Sequence, residues 1–325
     1  MIITRRVILG GLAALLFTAP VQAQPIAWTM ATEYPASAMP GEGVRSFAEN
    51  VAKESGGRIT VTPSFDAALG IKSADMVAAV RDGKVTAGDA FAGAMGKVDP
   101  LFLLSSLPFL AATNEDARKL YDRARPAYAK RLAAEGQRLL YATPWPPSGI
   151  WAKTPVVAPA DLKGLSIRTY DATSTKVLTD AGAAAVNLSF ADAMPKLQDG
   201  SVTAVLSSGD GGAGRKLWDY LPHFTEVNYA VPLSLASVNQ AAYAALPADL
   251  QAAVDRAAVA TEANQWRLLE NRLAENYARM TANGVTITRA SALSADLRRV
   301  LSASASAAIT AWKTEAGPEA AALLP

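Results

Sequence analysis

The sequence predicts an α/β protein of two lobes, with mixed sheets, long connecting strands and helices, and a cleft between the lobes. Strand-like and helix-like periods alternate along the first half of the chain, and the alternation starts again after a proline-rich segment. Half of the 325 residues are hydrophobic, which is enough to fill two ordinary cores. Because α/β sheets bind small molecules beyond the carboxyl ends of their strands, we expect a binding site in the cleft.

The N-terminus has the three parts of a secretory signal. Two arginines precede an apolar run over residues 7–17, and small residues stand at positions −3 and −1 of a cleavage site after Ala23. The apolar run is too short to span a bilayer comfortably. We therefore expect residues 1–23 to be a signal peptide, cleaved near Ala23, and the mature chain to lie outside the cytoplasm.

The first lobe is predicted over residues 24–145. Apolar residues recur on one face of a helix that Gly56 and Gly57 end, and Pro126 is expected to kink or split a later helix. In order, the predicted elements are a helix over residues 41–55, a strand over 58–63, a helix over 73–82, a strand over 85–91, a helix that begins at Asn114, and a strand over 138–143.

The second lobe is predicted over residues 146–233, after a rigid connection that contains Pro144, Pro146 and Pro147. The chain then returns to the first lobe over residues 234–282, through a segment at 227–238 that is long enough to cross. The remaining elements are strands over 165–169, 184–188 and 202–207, helices over 173–181, 191–198 and 247–282, and a C-terminal strand and helix over 283–325 that pack on the lobes.

Composition argues against several classes of function. The formal charge is only +2 and the basic residues are scattered, so we expect no nucleic-acid partner. The chain has no cysteine and one histidine, His223, which leaves no two-histidine metal motif, and no G-x-S-x-G elbow occurs. The aspartates at 75, 82, 89 and 99 are not interpreted as an acid/base pair. We therefore expect no enzyme, no metal and no cofactor.

The segment Gly209-Asp210-Gly211-Gly212-Ala213-Gly214 matches the G-x-G-x-x-G pattern of dinucleotide sites, after a predicted strand. The following helix is cut short by Pro222, and no acidic residue ends a second strand about 20 positions on. The segment is therefore interpreted as a glycine-rich loop near a cleft. A periplasmic oxidoreductase that uses this loop for a nucleotide is kept as the alternative function.

Arg168 stands at the carboxyl end of the predicted strand over residues 165–169. An arginine at such a position offers a planar fork to a carboxylate, and the pair selects geometry as well as charge. Most arginines lie on protein surfaces, however, so the spacing alone leaves both a surface role and a binding role open.

Seven segments, taken in order, resemble the periplasmic substrate-binding subunits of tripartite ATP-independent periplasmic (TRAP) transporters, the DctP family. The resemblance covers the chain nearly end to end after the signal. The segments are WTMATEYP (28–35), FAENVAKESGGRI (47–59), AVRDGKVTAGD (79–89), SLPFL (106–110), DLKGLSIR (161–168), KLQDG (196–200) and LPADLQ (246–251).

The resemblance implies a two-lobed periplasmic binding protein that closes on a small organic acid and delivers it to TRAP membrane permease subunits. It makes Arg168 the carboxylate-binding arginine, places Phe190 against the ligand, and puts Ser207 where many members have an asparagine that binds the ligand. A ligand sensor for a signalling receptor is a further alternative, and both a monomer and a homodimer remain open. The full set of candidate ligand-binding residues is Arg168, Phe190, Ser207, Glu33, Tyr34, Phe65, Phe91, Trp145, Ser148, Trp151, Tyr170 and Asp171.

One departure from the family pattern concerns the ligand. Sialic-acid-binding members carry a second arginine about twenty residues upstream of the first, and Ser148 occupies that place here, between Trp145 and Trp151. One cation fewer and two added indoles argue against a highly polar ligand. We therefore expect a monocarboxylate with an apolar or aromatic body, such as a hydroxy-, keto- or aryl-substituted acid.

Overall fold

The computed structural model describes residues 24–325, so the predicted signal peptide lies outside the described residues. The strands in chain order are β1 (Ile26–Thr32), β2 (Ile59–Ser64), β3 (Ala87–Phe91), β4 (Gln137–Pro144), β5 (Ser148–Ala152), β6 (Ser166–Thr169), β7 (Ala184–Asn187), β8 (Ala204–Ser208), β9 (His223–Thr225), β10 (Leu233–Asn239) and β11 (Thr286–Thr288). The helices are α1 (Met39–Glu54), α2 (Met76–Arg81), α3 (Asn114–Ala134), α4 (Pro159–Leu162), α5 (Ala172–Asp180), α6 (Phe190–Gln198), α7 (Gly209–Gly214), α8 (Gln240–Ala244), α9 (Ala248–Ala282) and α10 (Ala295–Ala321).

Two mixed sheets define two lobes, which confirms the predicted fold class. Lobe I is built on a five-stranded sheet in the order β2-β1-β3-β10-β4, and lobe II on a six-stranded sheet in the order β11-β9-β5-β8-β6-β7. In lobe I, β1 pairs in parallel with β2 and β3, whereas the returning β10 is antiparallel to β3 and β4. In lobe II, β6 pairs in parallel with β7 and β8.

Helices cover both faces of the lobe I sheet, so its strands are buried on both sides. On one face, α1 and α9 pack through Phe47 and Val254 against Met30 and Tyr141 of the sheet. On the other face, α2 and α3 form a separate core that includes Phe102, whose ring stacks on that of Tyr128 with centroids 5.9 Å apart. These residues are nearly all buried, and burial of apolar surface stabilises the lobe by about 25 cal/mol for each Å².

Four segments join the lobes. The chain crosses after β4 and returns before β10, and the two crossings are hydrogen-bonded to each other, with Trp145 N donating to Pro232 O and Ser148 N donating to Ala230 O, both at 2.9 Å. The 35-residue helix α9 packs in the core of lobe I through its first half and in that of lobe II through Tyr277 and Met280. Helix α10 also contributes to both cores.

Three local predictions differ from the structure. Helix α3 continues through Pro126, because the proline ring lies on the exposed face while buried residues on both sides of it hold the helix in the core. The crossing segment becomes a strand only at Leu233. The glycine-rich segment forms the helix α7, capped by Ser208, and is therefore not a loop.

A carboxyl group is buried in the middle of lobe I. Asp89 in β3 is fully buried, and its Oδ1 accepts a hydrogen bond from Thr32 Oγ1 at 3.0 Å. Its Oδ2 and the hydroxyls of Tyr141 and Thr143 have no hydrogen-bond partner among the described residues. Burial raises the pKa of Asp89 to about 7, since the charged form is disfavoured away from water.

We expect Asp89 to make the stability of the protein depend on pH. Between about pH 4 and 7 the native state keeps a proton that the unfolded chain has released, so the contribution is fully present below pH 4 and is lost as the pH rises towards 7. Each pKa unit corresponds to roughly 1.4 kcal/mol, giving a few kcal/mol in total. Urea unfolding at pH 4.5, 6 and 7.5 should show a smaller loss of stability with pH in Asp89→Asn than in the unsubstituted protein.

The exposed Asp122, which pairs with Arg118, provides a matched control. Asp122→Asn should keep the pH dependence of the unsubstituted protein, since this carboxyl is solvated. If Asp89→Asn and the unsubstituted protein lose stability equally with rising pH, Asp89 is ionised in the native state at pH 6.

Candidate ligand-binding site

The site lies where the carboxyl ends of parallel strands from both sheets meet. Glu33 and Tyr34 follow β1, Phe91 ends β3, Arg168 is the third residue of β6, and Ser207 is near the end of β8. Parallel strands place their carboxyl ends at one edge of a sheet, and the two lobes turn these edges towards each other. The fold therefore brings together residues from four distant segments of the chain.

Arg168 is the centre of this site. It is 4% exposed, its Nε donates to Leu188 O at 2.8 Å, and its Nη1 donates to Leu206 O at 3.3 Å. The ring of Phe190 lies 4.2 Å from the guanidinium carbon and forms a platform for the cation. Two backbone carbonyls and one ring thus fix the orientation of the guanidinium, and Nη2 donates to no described protein atom.

The charge of Arg168 has no ion-pair partner within residues 24–325. Burial lowers the pKa of the Arg168 guanidinium, while the nearby Tyr34 and Glu33 act in the opposite direction. An arginine stays protonated in proteins even so. A buried cation with a free hydrogen-bond donor is costly, and an incoming carboxylate would relieve that cost.

A small inner chamber surrounds Arg168. Aromatic residues form its walls, with the rings of Tyr34 and Trp145 4.7 Å apart and those of Phe91 and Tyr170 5.0 Å apart. Trp145 is held by a hydrogen bond from its Nε1 to Ser234 Oγ at 3.1 Å. The chamber is lined by Tyr34, Phe91, Trp145, Ser148, Arg168, Tyr170, Phe190, Ser207, Ser208 and Pro232.

Polar groups interrupt this aromatic wall. Tyr170 is 7% exposed, and its hydroxyl makes no hydrogen bond to any described residue. The hydroxyl-bearing residues Ser148 and Ser207 also line the chamber. A buried hydroxyl without a protein partner is free to hydrogen-bond a water or a ligand. Arg168 and Tyr170 are therefore the candidate polar contacts for a ligand at this end of the site.

An outer cavity of about 450 Å³ leads from solvent to the chamber. The two cavities share Tyr34, Phe91, Arg168 and Tyr170 as lining residues. At the rim of the outer cavity, Lys72 of lobe I and Asp192 of lobe II form an ion pair with Nζ and Oδ1 2.8 Å apart. Arg168 thus stands at the junction of the chamber and its entrance.

Three of the residues singled out in the sequence line neither cavity. Phe65 packs against the core of lobe I, and Asp171 caps α5, with Oδ1 accepting from Ser174 N at 2.7 Å. Trp151 is fully buried and packs on Phe224, because side chains alternate along β5 and only those on the face of Ser148 point to the chamber. In contrast, Ser208, Pro232 and Lys72 line the site but were not among the candidates from the sequence. Of these, only Ser208 could have been suspected, because it is adjacent to the candidate Ser207.

Helix α7 does not offer a phosphate cradle. A Cβ on Gly212 would overlap the indole ring of Trp151, and a Cβ on Gly211 would lie 2.5 Å from Ser207 Oγ. The buried Asp210 in the first turn accepts a hydrogen bond from Met39 N at 2.8 Å, so its carboxyl group serves the contact between α7 and the start of α1. Gly212 and Gly211 therefore serve close packing of α7 against β5 and β8, and the nucleotide alternative finds no support.

The sequence profile of the bacterial extracellular solute-binding proteins, family 7 (DctP), matches residues 30–305. The chain belongs to this family. The DctP chain is 27% identical over 253 residues to a solute-binding protein of Verminephrobacter eiseniae, a match that covers 76% of this chain and 74% of the relative. The predicted family is thereby confirmed.

Solved DctP structures extend the comparison. DctP7 of Bordetella pertussis, an extracytoplasmic solute receptor binding pyroglutamic acid, is 30% identical with a TM-score of 0.87, covering 91% of this chain and 97% of that one. DctP6 of the same organism, which also binds pyroglutamic acid, is 29% identical with a TM-score of 0.86 and the same coverage. A marine metagenome TRAP solute-binding protein specific for pyroglutamate is 27% identical, with a TM-score of 0.86, covering 92% and 97%.

The family and these solved relatives are extracytoplasmic solute-binding proteins. Within residues 24–325, no helix is long and apolar enough to cross a membrane.

Proposed function

We propose that this TRAP receptor acts in the periplasm, binds a compact cyclic monocarboxylate through Arg168, and delivers it to the membrane permease subunits of its transporter. Pyroglutamate is the ligand that we put first. The observation that carries the proposal is the buried guanidinium of Arg168, which has no ion pair and keeps Nη2 free of protein acceptors. A carboxylate that accepts from this edge forms a charge-assisted pair in a site shielded from water.

The walls of the chamber favour a small ring. Tyr34, Phe91, Trp145 and Phe190 supply flat apolar surface, while Tyr170 offers a hydroxyl without a partner. Pyroglutamate combines a five-membered ring with a lactam whose oxygen and N–H need hydrogen bonds. The similar receptors that bind pyroglutamate support this choice. Pyroglutamate keeps the single carboxylate expected from the sequence, but its body is a polar lactam ring and not the apolar or aromatic body expected there.

A second carboxylate would have no partner in the chamber. Arg168 is the one cation among the residues that line it, and the carboxylate of Glu33, which is 3% exposed, borders the adjoining cavity. A dicarboxylate would place its second charge in a water-poor space beside this anion. Like charges at short range in such a space are strongly unfavourable. The inner chamber therefore favours an acid with a single carboxylate.

The proposal is tested by calorimetric titration with four acids. The protein is first unfolded in guanidinium chloride, dialysed to remove any bound acid, and refolded before the titration. L-pyroglutamate should bind most tightly. Cyclopentanecarboxylate keeps the ring and the acid but lacks the lactam, so its affinity should be lower by roughly 10-fold or more, since buried hydroxyls lose a partner. L-glutamate and succinate should bind at least roughly 100-fold more weakly than pyroglutamate. Tighter binding of succinate or glutamate than of pyroglutamate would refute the assignment.

A further inference from the structure

Glu33 connects the two lobes beside the chamber. It follows β1 in lobe I and is 3% exposed. Its Oε2 accepts a hydrogen bond from Ser73 N of lobe I at 2.9 Å, and its Oε1 accepts one from Phe190 N of lobe II at 3.0 Å. One buried carboxylate thus receives two backbone N–H groups that belong to different lobes.

The residue that Glu33 holds in lobe II is the one beneath the ligand-binding arginine. Phe190 is the first residue of α6, and its ring lies 4.2 Å from the guanidinium carbon of Arg168. A carboxylate at the N-terminus of a helix is stabilised by the helix dipole as well as by the hydrogen bond. The position of the Phe190 backbone, and hence of its ring, is therefore linked to a side chain of lobe I.

Lobe II also forms a hydrogen bond with the backbone of Glu33. Arg215 Nη2 donates to Glu33 O at 2.7 Å, and Arg215 Nη1 lies 3.0 Å from Asp66 Oδ1 of lobe I. Glu33 is thus held from lobe II through both its side chain and its main chain. Separation of the lobes breaks both contacts at once, because their partners lie in different lobes.

The rim ion pair between Lys72 and Asp192 also joins the lobes, but it differs in exposure. Its side chains are 36% and 44% exposed, so solvent screens their attraction. The Glu33 contacts are shielded from water, where a charge-assisted hydrogen bond is stronger and a missing acceptor is more costly. Of these interlobe contacts, we expect those of Glu33 to contribute most to the stability of the closed arrangement of the lobes.

We propose that Glu33 is a positioning residue, which holds the lobes closed over the bound acid and fixes Phe190 beneath Arg168. This rests on the proposed function, in which Arg168 binds the acid. Glu33 acts on the acid through closure, so its loss speeds release of the acid and leaves capture by the open cleft nearly unchanged.

Stopped-flow and calorimetric measurements with L-pyroglutamate test this on Glu33→Gln, Glu33→Asp and Glu135→Gln. Glutamine turns an NH2 towards one of the two N–H donors, so dissociation should be roughly 10- to 100-fold faster, with the association rate within about threefold. Aspartate keeps the charge but is one methylene too short to reach both lobes. The dissociation rate of Glu33→Asp should therefore lie between those of the unsubstituted protein and Glu33→Gln. Glu135 pairs with Arg81 inside lobe I and serves as the matched control.

Interlobe distance provides a readout that does not depend on the ligand. The chain has no cysteine, so Ala68→Cys in lobe I and Lys196→Cys in lobe II, both exposed, accept spin labels uniquely. Pulsed electron-electron resonance should find a smaller fraction of short distances in Glu33→Gln than in Glu33 protein, both with and without acid. Thermal unfolding of the ligand-free variants checks that the fold is intact.

The outcomes separate this inference from the proposed function. If the unsubstituted protein fails to bind pyroglutamate, the ligand assignment is wrong, and the distance distributions still decide the role of Glu33. Equal distributions in both proteins, or binding with an unchanged dissociation rate in a folded Glu33→Gln, would overturn the inference. An Asp variant that dissociates as slowly as Glu33 protein would show that reach across the lobes is irrelevant.

Discussion

Arg168→Met is expected to weaken acid binding by roughly 100- to 5,000-fold, because removal of one partner of a buried charged pair costs about 3–5 kcal/mol. Methionine removes the guanidinium that lies over Phe190 but keeps much of the apolar stem, and its flexible side chain can fill part of the space left. The ligand-free protein should be as stable as before or more stable, since an unpaired buried cation has been removed. Calorimetry gives the affinity, and thermal unfolding with and without acid gives the stability.

Two further variants sharpen this experiment. Arg168→Lys keeps the charge but loses the planar fork that donates to Leu188 O and Leu206 O, so binding should recover only in part. Arg256→Met removes a 57% exposed arginine that pairs with Glu54, and should leave binding unchanged. If Arg168→Met binds the acid within fivefold of the unsubstituted protein while Arg256→Met behaves as expected, the carboxylate is held elsewhere.

Arg168 also shows how far the sequence leads towards the site. Its place at the end of a strand suggested an anion site, and the ordered segments around it turned that suggestion into a specific expectation. The sequence does not reveal that the backbone carbonyls of Leu188 and Leu206 accept hydrogen bonds from the guanidinium and orient it. Leu206 lies in β8 and Leu188 directly follows β7, the two strands on either side of β6, and strand order is a property of the whole fold.

The sequence was weaker where the direction of a side chain decides its role. Trp145 and Trp151 stand on either side of Ser148, yet only Trp145 lines the chamber. Trp151 points to the opposite face of β5, and a shift of one residue along a strand reverses the face. Glu33 is a candidate ligand-binding residue from the sequence, and in the structure its carboxylate accepts a hydrogen bond from Phe190 N, 157 positions away. No local pattern indicates such a contact.

The glycine-rich segment illustrates a pattern with two physical explanations. A G-x-G-x-x-G match needs glycine either for the approach of a phosphate or for the approach of another part of the protein. Here Gly212 lies against the indole of Trp151, which is fully buried and whose Nε1 donates to Ser208 O at 3.3 Å. The pattern alone does not show whether a ligand or a tryptophan lies against the glycine. The space beside each Cα in the structure does show it.

Gly212→Ala is therefore expected to destabilise the protein by roughly 3 kcal/mol or more, since the added methyl overlaps a ring that the surrounding core holds in place. The effect opposes helix propensity, which favours alanine over glycine by about 1 kcal/mol. Displacement of Trp151 also disturbs Ser208, to which it is bonded, and Ser208 lines the chamber. Urea unfolding measures the loss of stability, and titration with acid should show weaker binding in the folded fraction.

Gly209→Ala tests the same substitution in the first turn of the same helix. Its new methyl would lie 3.0 Å from Met280 Sδ, and the end of a methionine side chain moves easily. We expect a change in the free energy of unfolding within about 1 kcal/mol, of either sign. A nucleotide site would give the opposite pattern, because loss of a phosphate-binding glycine impairs binding while the ligand-free fold persists. Equal stability of Gly212→Ala and the unsubstituted protein would therefore count against close packing as the reason for glycine at this position.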